Sequence, residues 1–362
     1  MHFELPTYIN ELLHSGTVIP AHPLALCADG TLDEDRQRRL TRYYLACGVG
    51  GLAVGVHTTQ FEIRDPSVRL LERVLRLAKE EVDLAGLTDR IILVAGIVGH
   101  TEQAVEEARL ARDLGYHLGL LSNGGLGDWT NEALLQRAEA VADEIPVFGF
   151  YLQPAVGGRI LDYDYWYRFA GIPNVRAIKV APFNRYHTLE VMRAVCASPR
   201  RDEIAMYTGN DDHILGDLLT NYRFRRNGIE VNKHFVGGLL GHWAVWTHKA
   251  VELLAQVKAG PDHDDPGLGA LLTAGIAVTD MNAVIFDASH HFRGCIPGIH
   301  EVLRRQGLLA GTWCLNPNEV LSTGQAEAID RIYSMYPEHT DDAFVSRFLE
   351  NEARSGYDTK DR

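Results

Sequence analysis

Residues 147–153 read VFGFYLQ and residues 175–181 read VRAIKVA, on either side of a segment with helical periodicity. Short apolar runs that alternate with helical patterns are typical of βα units in a parallel sheet. Both runs are apolar at nearly every position, which indicates strands that are covered on both faces. The stretch therefore predicts two neighbouring parallel strands joined by a helix.

The same pattern extends in both directions along the chain, and most of the apolar runs precede a helical pattern. Together they predict eight strands at Thr17–Pro20, Gly51–Val56, Ile91–Val98, Leu118–Ser122, Val147–Gln153, Val175–Ala181, Ile204–Gly209 and Phe235–Leu240. Eight βα units predict an α/β fold of the (β/α)8 TIM-barrel class.

The barrel is expected to occupy residues 17–259, after an N-terminal segment of residues 1–16 and before a C-terminal helical region of residues 260–362. His242–Lys258 is the predicted closing helix, and the glycines, prolines and aspartates of Gly260–Gly267 indicate a linker. Helices are expected near Leu268–Ser289, Pro297–Gln306, Thr323–Tyr336 and Phe344–Ala353.

Composition excludes several classes of partner. The 362 residues, 46% of them hydrophobic, can bury a full-sized core. The formal charge is −13, from 48 acidic and 35 basic residues, so the chain repels nucleic acid and anionic membrane surfaces. No run approaches the roughly 18 to 20 uninterrupted apolar residues of a membrane helix. We expect neither a nucleic-acid nor a membrane partner.

The five cysteines are scattered and form no C-x-x-C pair, which favours neither a zinc knuckle nor a disulfide framework. The N-terminal stretch from Met1 to Pro20 lacks the basic start and apolar run of a signal peptide. These features predict a cytoplasmic protein in a reducing compartment.

The active site of a TIM barrel lies at the carboxyl ends of its strands. That rule selects residues at or after seven strands: His22 and Pro23; His57, Thr58, Thr59 and Gln60; Ser122 and Asn123; Tyr151 and Gln153; Lys179; Gly209, Asn210 and Asp211; and Gly237, Gly238 and His242.

Lys179 interrupts an otherwise apolar strand, where its ammonium group would be desolvated. Burial lowers the pKa of a lysine and exposes a free amine that can attack a carbonyl. The alternatives are a lysine paired with a barrel carboxylate or one that reaches the rim. Tyr151, on the neighbouring strand, is the expected proton relay, and its alternative is a core aromatic with a satisfied hydroxyl.

Together these residues resemble the dihydrodipicolinate synthase and N-acetylneuraminate lyase family of Schiff-base aldolases. The family's tyrosine-x-x-proline matches Tyr151–Pro154, and its glycine-isoleucine-lysine matches Ala177–Lys179, one strand–helix–strand step further along the chain. Supporting matches are Gly55–Thr59 at its glycine-threonine-threonine loop and Gly209–Asp211 at its glycine-aspartate-aspartate turn. The resemblance spans roughly residues 17–336 and includes Ile296–Leu309 in the helical region.

The resemblance implies a lyase, either an aldolase or a dehydratase, that acts on pyruvate or a related 2-oxo acid. Lys179 would form the iminium and enamine, and Tyr151 would relay the proton with the help of the Thr58 or Ser122 hydroxyl. Thr58 and Thr59 would hold the substrate carboxylate. No cofactor beyond the covalent Schiff base would be needed. His57, Thr59, Ser122, Asn123, Gly209 and Asn210 would surround the substrate. An aldehyde is a further expected partner, and the family implies a homo-oligomer, a dimer or a tetramer.

Three departures from the family disfavour dihydrodipicolinate synthesis itself, which stays as the alternative. Gln60-Phe61 replaces glycine-glutamate, Ser122–Gly125 replaces a tyrosine that joins the relay, and no arginine stands in register after Pro154. These changes favour a neutral or aromatic aldehyde over aspartate semialdehyde.

Two other classes of protein are alternatives. Histidines such as His22, His57, His242 and the pair His290-His291 would suit a metal-dependent barrel, but they form no H-E-x-x-H signature. A barrel without catalysis could instead bind a partner through the aromatic cluster Tyr163–Phe169, for which helix packing is the plainer explanation. Retention of Lys179 and Tyr151 argues against an inactive barrel.

Overall fold

The computed structural model describes residues 4–226, 228–260 and 266–354, with only the backbone described at Pro266. Eight parallel strands form one sheet with the order β1-β10-β7-β6-β5-β4-β3-β2. Their bounds are β1 Val18–Pro20, β2 Gly51–Val54, β3 Ile92–Ile97, β4 Leu118–Leu121, β5 Val147–Leu152, β6 Val175–Ala181, β7 Ala205–Thr208 and β10 Gly237–Leu240. All eight predicted strands are therefore confirmed.

The sheet closes into a barrel between its first and second strands. A parallel bridge joins Ala21 to Ala53, and the His22 N–H donates to the Ala53 carbonyl at 2.8 Å. Closure pairs the two edge strands with each other and gives the barrel an interior that side chains fill. The predicted TIM-barrel class is confirmed.

Helices follow the strands and cover the outside of the barrel, as βα units require. Those of the barrel are α2 Glu34–Ala46, α3 Leu71–Leu84, α4 Thr101–Asp113, α5 Asn131–Ala142, α6 Tyr163–Phe169, α7 Arg185–Ala197, α8 Ile214–Leu219 and α9 Thr247–Lys258. Asp33, Thr130, Asp162 and Asn184 each cap a helix by accepting hydrogen bonds from first-turn amides.

An N-terminal helix, α1 Thr7–Ser15, packs against residues of the barrel interior. Its Ile9 and Leu13 are fully buried there, and the Tyr207 hydroxyl donates to the Leu13 carbonyl at 2.9 Å. The helix therefore adds apolar contacts to the inner core of the barrel.

A β-hairpin inserted between α8 and β10 was not predicted. It consists of β8 Asn221–Arg226 and β9 Ile229–His234, which pair antiparallel. Asn-Gly at positions 227–228 is the usual sequence signal for a tight hairpin turn. The two strands lack the apolar pattern that would have marked them. Five of their twelve residues are Arg, Lys or Glu, and most of these are exposed.

The helices of the C-terminal region are α10 Pro266–Ile285, α11 Cys295–Arg305, α12 Gln325–Met335 and α13 Asp342–Arg354. They confirm the four predicted helices within a few residues. The predicted linker is partly wrong, since Pro266 and Gly267 already belong to α10 and residues 261–265 lie outside the described residues. Proline suits the first turn of a helix because it needs no amide partner there. The division at residues 17 and 260 stays a prediction.

Helix α10 is the one described helix that is long and apolar enough to cross a membrane, over Gly267–Ile285 with a mean hydropathy of 1.6. It packs against α8, α11 and α12, and core helices of globular proteins pass the same criteria. The finding is weak evidence for a membrane span.

Candidate active site

The candidate site is a pocket at the carboxyl ends of the barrel strands. Six side chains with a polar or ionisable atom line it: His57, Thr58, Gln153, Lys179, Asp211 and Cys295. The rest of the wall is mainly apolar, from Val56, Phe150, Leu152, Val156, Phe183, Phe286, Phe292 and Ile299. The inner part of the pocket has a volume of about 70 Å³, and its mouth is partly open to solvent. At roughly 10–15 Å³ for each water-sized group, it has room for a molecule of a few heavy atoms.

Lys179 lies on β6, two residues before the strand ends, and is 8% exposed. Its Nζ lies 4.3 Å from the centre of the Phe150 ring. Burial lowers the pKa of the Lys179 amine, and the negative charge of Asp211 offsets part of that effect. An amine with a lowered pKa is available as a nucleophile nearer neutral pH.

Gly209 leaves room for the lysine stem. A Cβ built on Gly209 would lie 2.5 Å from Lys179 Cε and 2.8 Å from Ala181 Cβ, both shorter than contact distance. The absence of a side chain at the end of β7 therefore allows Lys179 to extend across that strand. This is the role in the pocket that the structure supports for Gly209.

Asp211 follows β7 and faces the same pocket. Its Oδ1 accepts from the His242 N–H at 3.2 Å, and its carbonyl accepts from Asn282 Nδ2 at 2.6 Å. Burial raises the pKa of the Asp211 carboxyl, while the Lys179 charge acts in the opposite direction. Burial thus raises the pKa of the carboxyl group and lowers the pKa of the amine in the same pocket, so that the two values lie closer together than usual.

His57 and Thr58 lie in a 3-10 turn, His57–Thr59, that follows β2. The Thr58 hydroxyl donates to the His22 carbonyl at 3.3 Å. Burial, followed by the Lys179 charge, lowers the pKa of His57 to about 4, so its imidazole is neutral at pH 7. Both residues line the pocket as expected from the sequence, and their chemical roles stay predictions.

The expected placement of Tyr151 beside Lys179 is wrong. Its ring packs in the layer between barrel and helices, 5.2 Å from Trp166 and 6.1 Å from His187. Its hydroxyl accepts from the Leu161 N–H at 3.3 Å. Neighbouring side chains on a strand point to opposite faces, and Phe150 takes the inward position. Tyr151 is the core aromatic of the alternative interpretation.

Ser122 and Asn123 do not line the pocket either. The buried Arg137 guanidinium donates to the Ser122 carbonyl at 3.1 Å and to Asn123 Oδ1 at 3.3 Å, and Asn123 Nδ2 donates to the Tyr165 hydroxyl at 3.1 Å. Ser122 Oγ accepts from the Gly124 N–H at 3.1 Å. These hydrogen bonds hold the loop after β4. The prediction that Ser122 and Asn123 contact the substrate is therefore wrong.

Thr59 and Asn210 support the pocket from outside. Thr59 Oγ1 donates to the His22 carbonyl at 2.7 Å and accepts from the Gly55 N–H at 3.0 Å. Asn210 Oδ1 accepts from the Phe183 N–H at 3.1 Å, which fixes a residue with a left-handed φ of 51°. Both were expected to touch substrate, and both instead brace loops that line the pocket.

Sequence reasoning missed the part of the wall that the C-terminal helices supply. Cys295 and Ile299 of α11 reach the pocket, and so do Phe286 and Phe292 from the segment between α10 and α11. Ile299 lies in the stretch Ile296–Leu309 that resembles the family, but no motif assigned these four residues to the pocket. The position of Asp211 in the Gly209–Asp211 turn, directly after a strand, did indicate the site. The prediction nevertheless gave the substrate contacts of this turn to Gly209 and Asn210.

The described residues contain no group of three or more His, Cys, Asp or Glu side chains with the arrangement of a metal site. The aromatic cluster Tyr163–Phe169 forms α6, and its Tyr165, Trp166 and Phe169 are buried in the helix layer. Helix packing therefore accounts for this cluster.

Curated relatives include two enzymes named 4-hydroxy-tetrahydrodipicolinate synthase. The one from Moorella thermoacetica is 29% identical over 54% of this chain and 64% of its own length. The one from Aromatoleum aromaticum is 30% identical over 51% of this chain and 59% of its own length. The matched region thus spans about six-tenths of these relatives.

Solved structures share the fold. A dihydrodipicolinate synthase from Acinetobacter baumannii, complexed with pyruvate, has a TM-score of 0.71 at 19% identity, over 88% of this chain and 98% of its own. The N-acetylneuraminate lyase from Fusobacterium nucleatum, also complexed with pyruvate, has a TM-score of 0.69 at 16% identity, over 90% and 99%. The sequence itself matches a family description over residues 14–238, more than half of the chain, and the chain therefore belongs to the dihydrodipicolinate synthetase family.

Proposed function

We propose that this chain is a Schiff-base-forming lyase that acts on pyruvate or a related small 2-oxo acid. The observation that carries the proposal is Lys179, a buried amine with a lowered pKa at the carboxyl ends of the strands. Membership of the family and relatives complexed with pyruvate support it. No cofactor beyond the covalent adduct is part of the proposal.

In the proposed reaction, the Lys179 amine attacks the keto carbon and loss of water gives an iminium. The iminium withdraws electrons from C3, so that C3 can lose a proton to give the enamine. A C–C bond to C3 can then form or break, or a C–O bond at C4 can break. His57 and Thr58 lie on the opposite side of the pocket from β6, at the start of a 3-10 turn whose first amides have no partner within the turn. We propose that they hold the substrate carboxylate.

Borohydride reduction in the presence of pyruvate tests the proposal. A stable pyruvyl adduct on the peptide that contains Lys179 is expected, located by peptide mass spectrometry. A metal-dependent barrel or an inactive binding protein would give no adduct. Absence of the adduct, or its formation only on other lysines, would refute the proposed function.

We further propose that the second substrate is a neutral or aromatic aldehyde. Phe183, Phe286 and Phe292 supply aromatic wall, and no arginine is among the described residues that line the pocket. Arg64 pairs with Glu107 at 2.9 Å, Arg185 pairs with Asp217, and Arg159 donates to carbonyls of the loop before α5. A second carboxylate would therefore be buried without a cationic partner, which is costly.

The names of the curated relatives favour the alternative, condensation with aspartate semialdehyde. A panel of aldehydes with pyruvate distinguishes the two substrates through kcat/KM. We expect aromatic or neutral aldehydes to be preferred by at least ~10-fold, since an unpaired buried carboxylate costs more than about 1.4 kcal/mol. A clear preference for aspartate semialdehyde would restore dihydrodipicolinate synthesis as the function.

The remaining parts of the proposal concern setting and assembly. We propose a cytoplasmic homo-oligomer, either dimer or tetramer, without nucleic-acid or membrane partners, in line with the family resemblance and the net charge of −13. Sedimentation velocity of the purified chain measures the assembly, and a monomer at all concentrations would refute that part.

A further inference from the structure

The proposed reaction needs a group that removes a proton from C3 of the enzyme-bound 2-oxo acid and returns a proton when the new bond forms or breaks. Tyr151 was expected to serve, but its hydroxyl lies in the helix layer and bonds to the Leu161 amide. The described pocket must therefore contain another group for this task. This inference rests on the proposed function.

Most polar groups of the pocket are poorly suited to move a proton at neutral pH. The Thr58 hydroxyl is engaged with the His22 carbonyl, and the Gln153 amide is not ionisable. Burial, reinforced by the Asp211 charge, raises the pKa of the Cys295 thiol. The lowered pKa of His57, about 4, makes it a weak base. Lys179 itself is consumed as the nucleophile.

Asp211 is held in position from two sides. The His242 amide, in the turn after β10, donates to its Oδ1, and Asn282 of α10 donates to its carbonyl. Its own amide donates to the Gly209 carbonyl at 3.1 Å, and Gly209 lies directly against the Lys179 stem. Asp211, held in this way, lines the same small pocket as Lys179.

We propose that Asp211 is the acid–base catalyst of this pocket and takes the place expected for Tyr151. Protonated Asp211 gives its proton to the carbinolamine hydroxyl, which leaves as water and produces the iminium. The resulting carboxylate removes a proton from C3, and the C–H electron pair forms the enamine. When the enamine attacks the aldehyde carbon, the same proton passes from Asp211 to the aldehyde oxygen, and hydrolysis of the iminium regenerates Lys179.

The ionisable groups around Asp211 fit this cycle. Lys179 on β6 stabilises the carboxylate, Asp212 beside it opposes ionisation, and burial also raises the pKa of Asp211. Cys295 on α11 and His57 after β2 are neutral under the same conditions because burial raises the pKa of the first and lowers that of the second. An acid whose pKa is shifted toward neutrality transfers protons in both directions efficiently.

The test uses exchange of the pyruvate methyl protons in D₂O, followed by proton NMR, which needs no aldehyde. The wild-type chain should catalyse exchange above the rate of Lys179→Ala, which serves as the baseline. Asp211→Asn should reduce exchange by about 10²- to 10⁴-fold. Borohydride should still trap pyruvate on Lys179, but more slowly, because loss of water from the carbinolamine no longer has its acid. Asp202→Asn is the matched control, because it removes one carboxylate from an exposed residue that precedes β7 and does not line the pocket.

A second variant, Asp211→Glu, keeps a carboxyl group and should retain exchange above that of Asp211→Asn. The inference is overturned if Asp211→Asn exchanges at the wild-type rate, or if Asp211→Glu is folded and trapped yet exchanges no faster than Asp211→Asn. A wild-type chain that shows neither trapping nor exchange would instead refute the proposed function, and this inference with it.

Discussion

Strands β5 and β6 lie side by side, and each supplied one residue to the same sequence motif, yet only one of the two faces the pocket. Lys179 on β6 points inward, while Tyr151 on β5 points into the helix layer. The difference arises from one residue. Val147 pairs with Val175, but Phe148 pairs with Ala177, so that Arg176 is an extra residue in β6.

This bulge changes which side chains are neighbours. The pairing of Val147 with Val175, continued along both strands, would put Lys179 opposite Tyr151. The extra residue shifts the pairing by one from Phe148 onward, so Lys179 instead lies opposite Phe150. Without the extra residue, the spacing of the motif would have placed Tyr151 opposite Lys179. A register shift of one residue moves side chains to the other face of a strand. The motif spacing was correct, and the predicted geometry was not.

The largest expected effect comes from β6. Lys179→Ala should abolish borohydride trapping with pyruvate and reduce turnover by at least ~10³-fold, because removal of a covalent nucleophile leaves only binding. Peptide mass spectrometry and steady-state kinetics measure the two effects. Trapping on the same peptide in this variant would remove Lys179 from the mechanism.

Gly209→Ala tests whether the lysine stem needs the empty space at the end of β7. The added Cβ would lie 2.5 Å from Lys179 Cε, so the amine must move, and we expect trapping to slow by about 10- to 100-fold. Gly127→Ala is the control, since no atom lies within 4 Å of its Cβ position. Equal trapping rates for the two variants would contradict the proposed packing of Lys179.

The pH dependence of trapping sharpens the contrast between a buried and an exposed lysine. The trapping rate should rise about tenfold per pH unit as long as the ammonium form dominates. It should reach its plateau at a pH lower than the ordinary pKa of lysine, because burial lowers the pKa of Lys179. Asp211→Asn removes the charge that raises this pKa, so its plateau should begin at lower pH. A plateau at the ordinary lysine pKa would show that the amine is hydrated.

The smallest expected effect concerns β5. Tyr151→Phe removes only a hydroxyl that accepts from the Leu161 amide, so we expect methyl exchange near the wild-type rate. The free energy of unfolding should fall by about 0.5–1.5 kcal/mol, as for loss of one hydrogen bond. Urea denaturation measures the change. Loss of exchange in a folded Tyr151→Phe protein would return the tyrosine to the mechanism.

The sequence predicts the fold more completely than it predicts the site. Eight apolar runs that alternate with helical patterns predict the barrel, because strands covered on both faces require apolar residues at nearly every position. The same reasoning found Lys179, a charge in an apolar strand. It failed for Thr59, Ser122, Asn123 and Asn210, whose polar side chains follow strands as expected but bond to loops.

By itself, the sequence determined the βα order, the strand positions, the position of the lysine on β6 and the family, because these depend on local periodicity and residue type. Tertiary structure decided which side chains share the pocket. The bulge at Arg176 decides which side chains of β5 and β6 share a face, and the segment between α10 and α11 brings Phe286 and Phe292 to the pocket. Register and long-range packing depend on contacts between distant segments, and no local pattern encodes them.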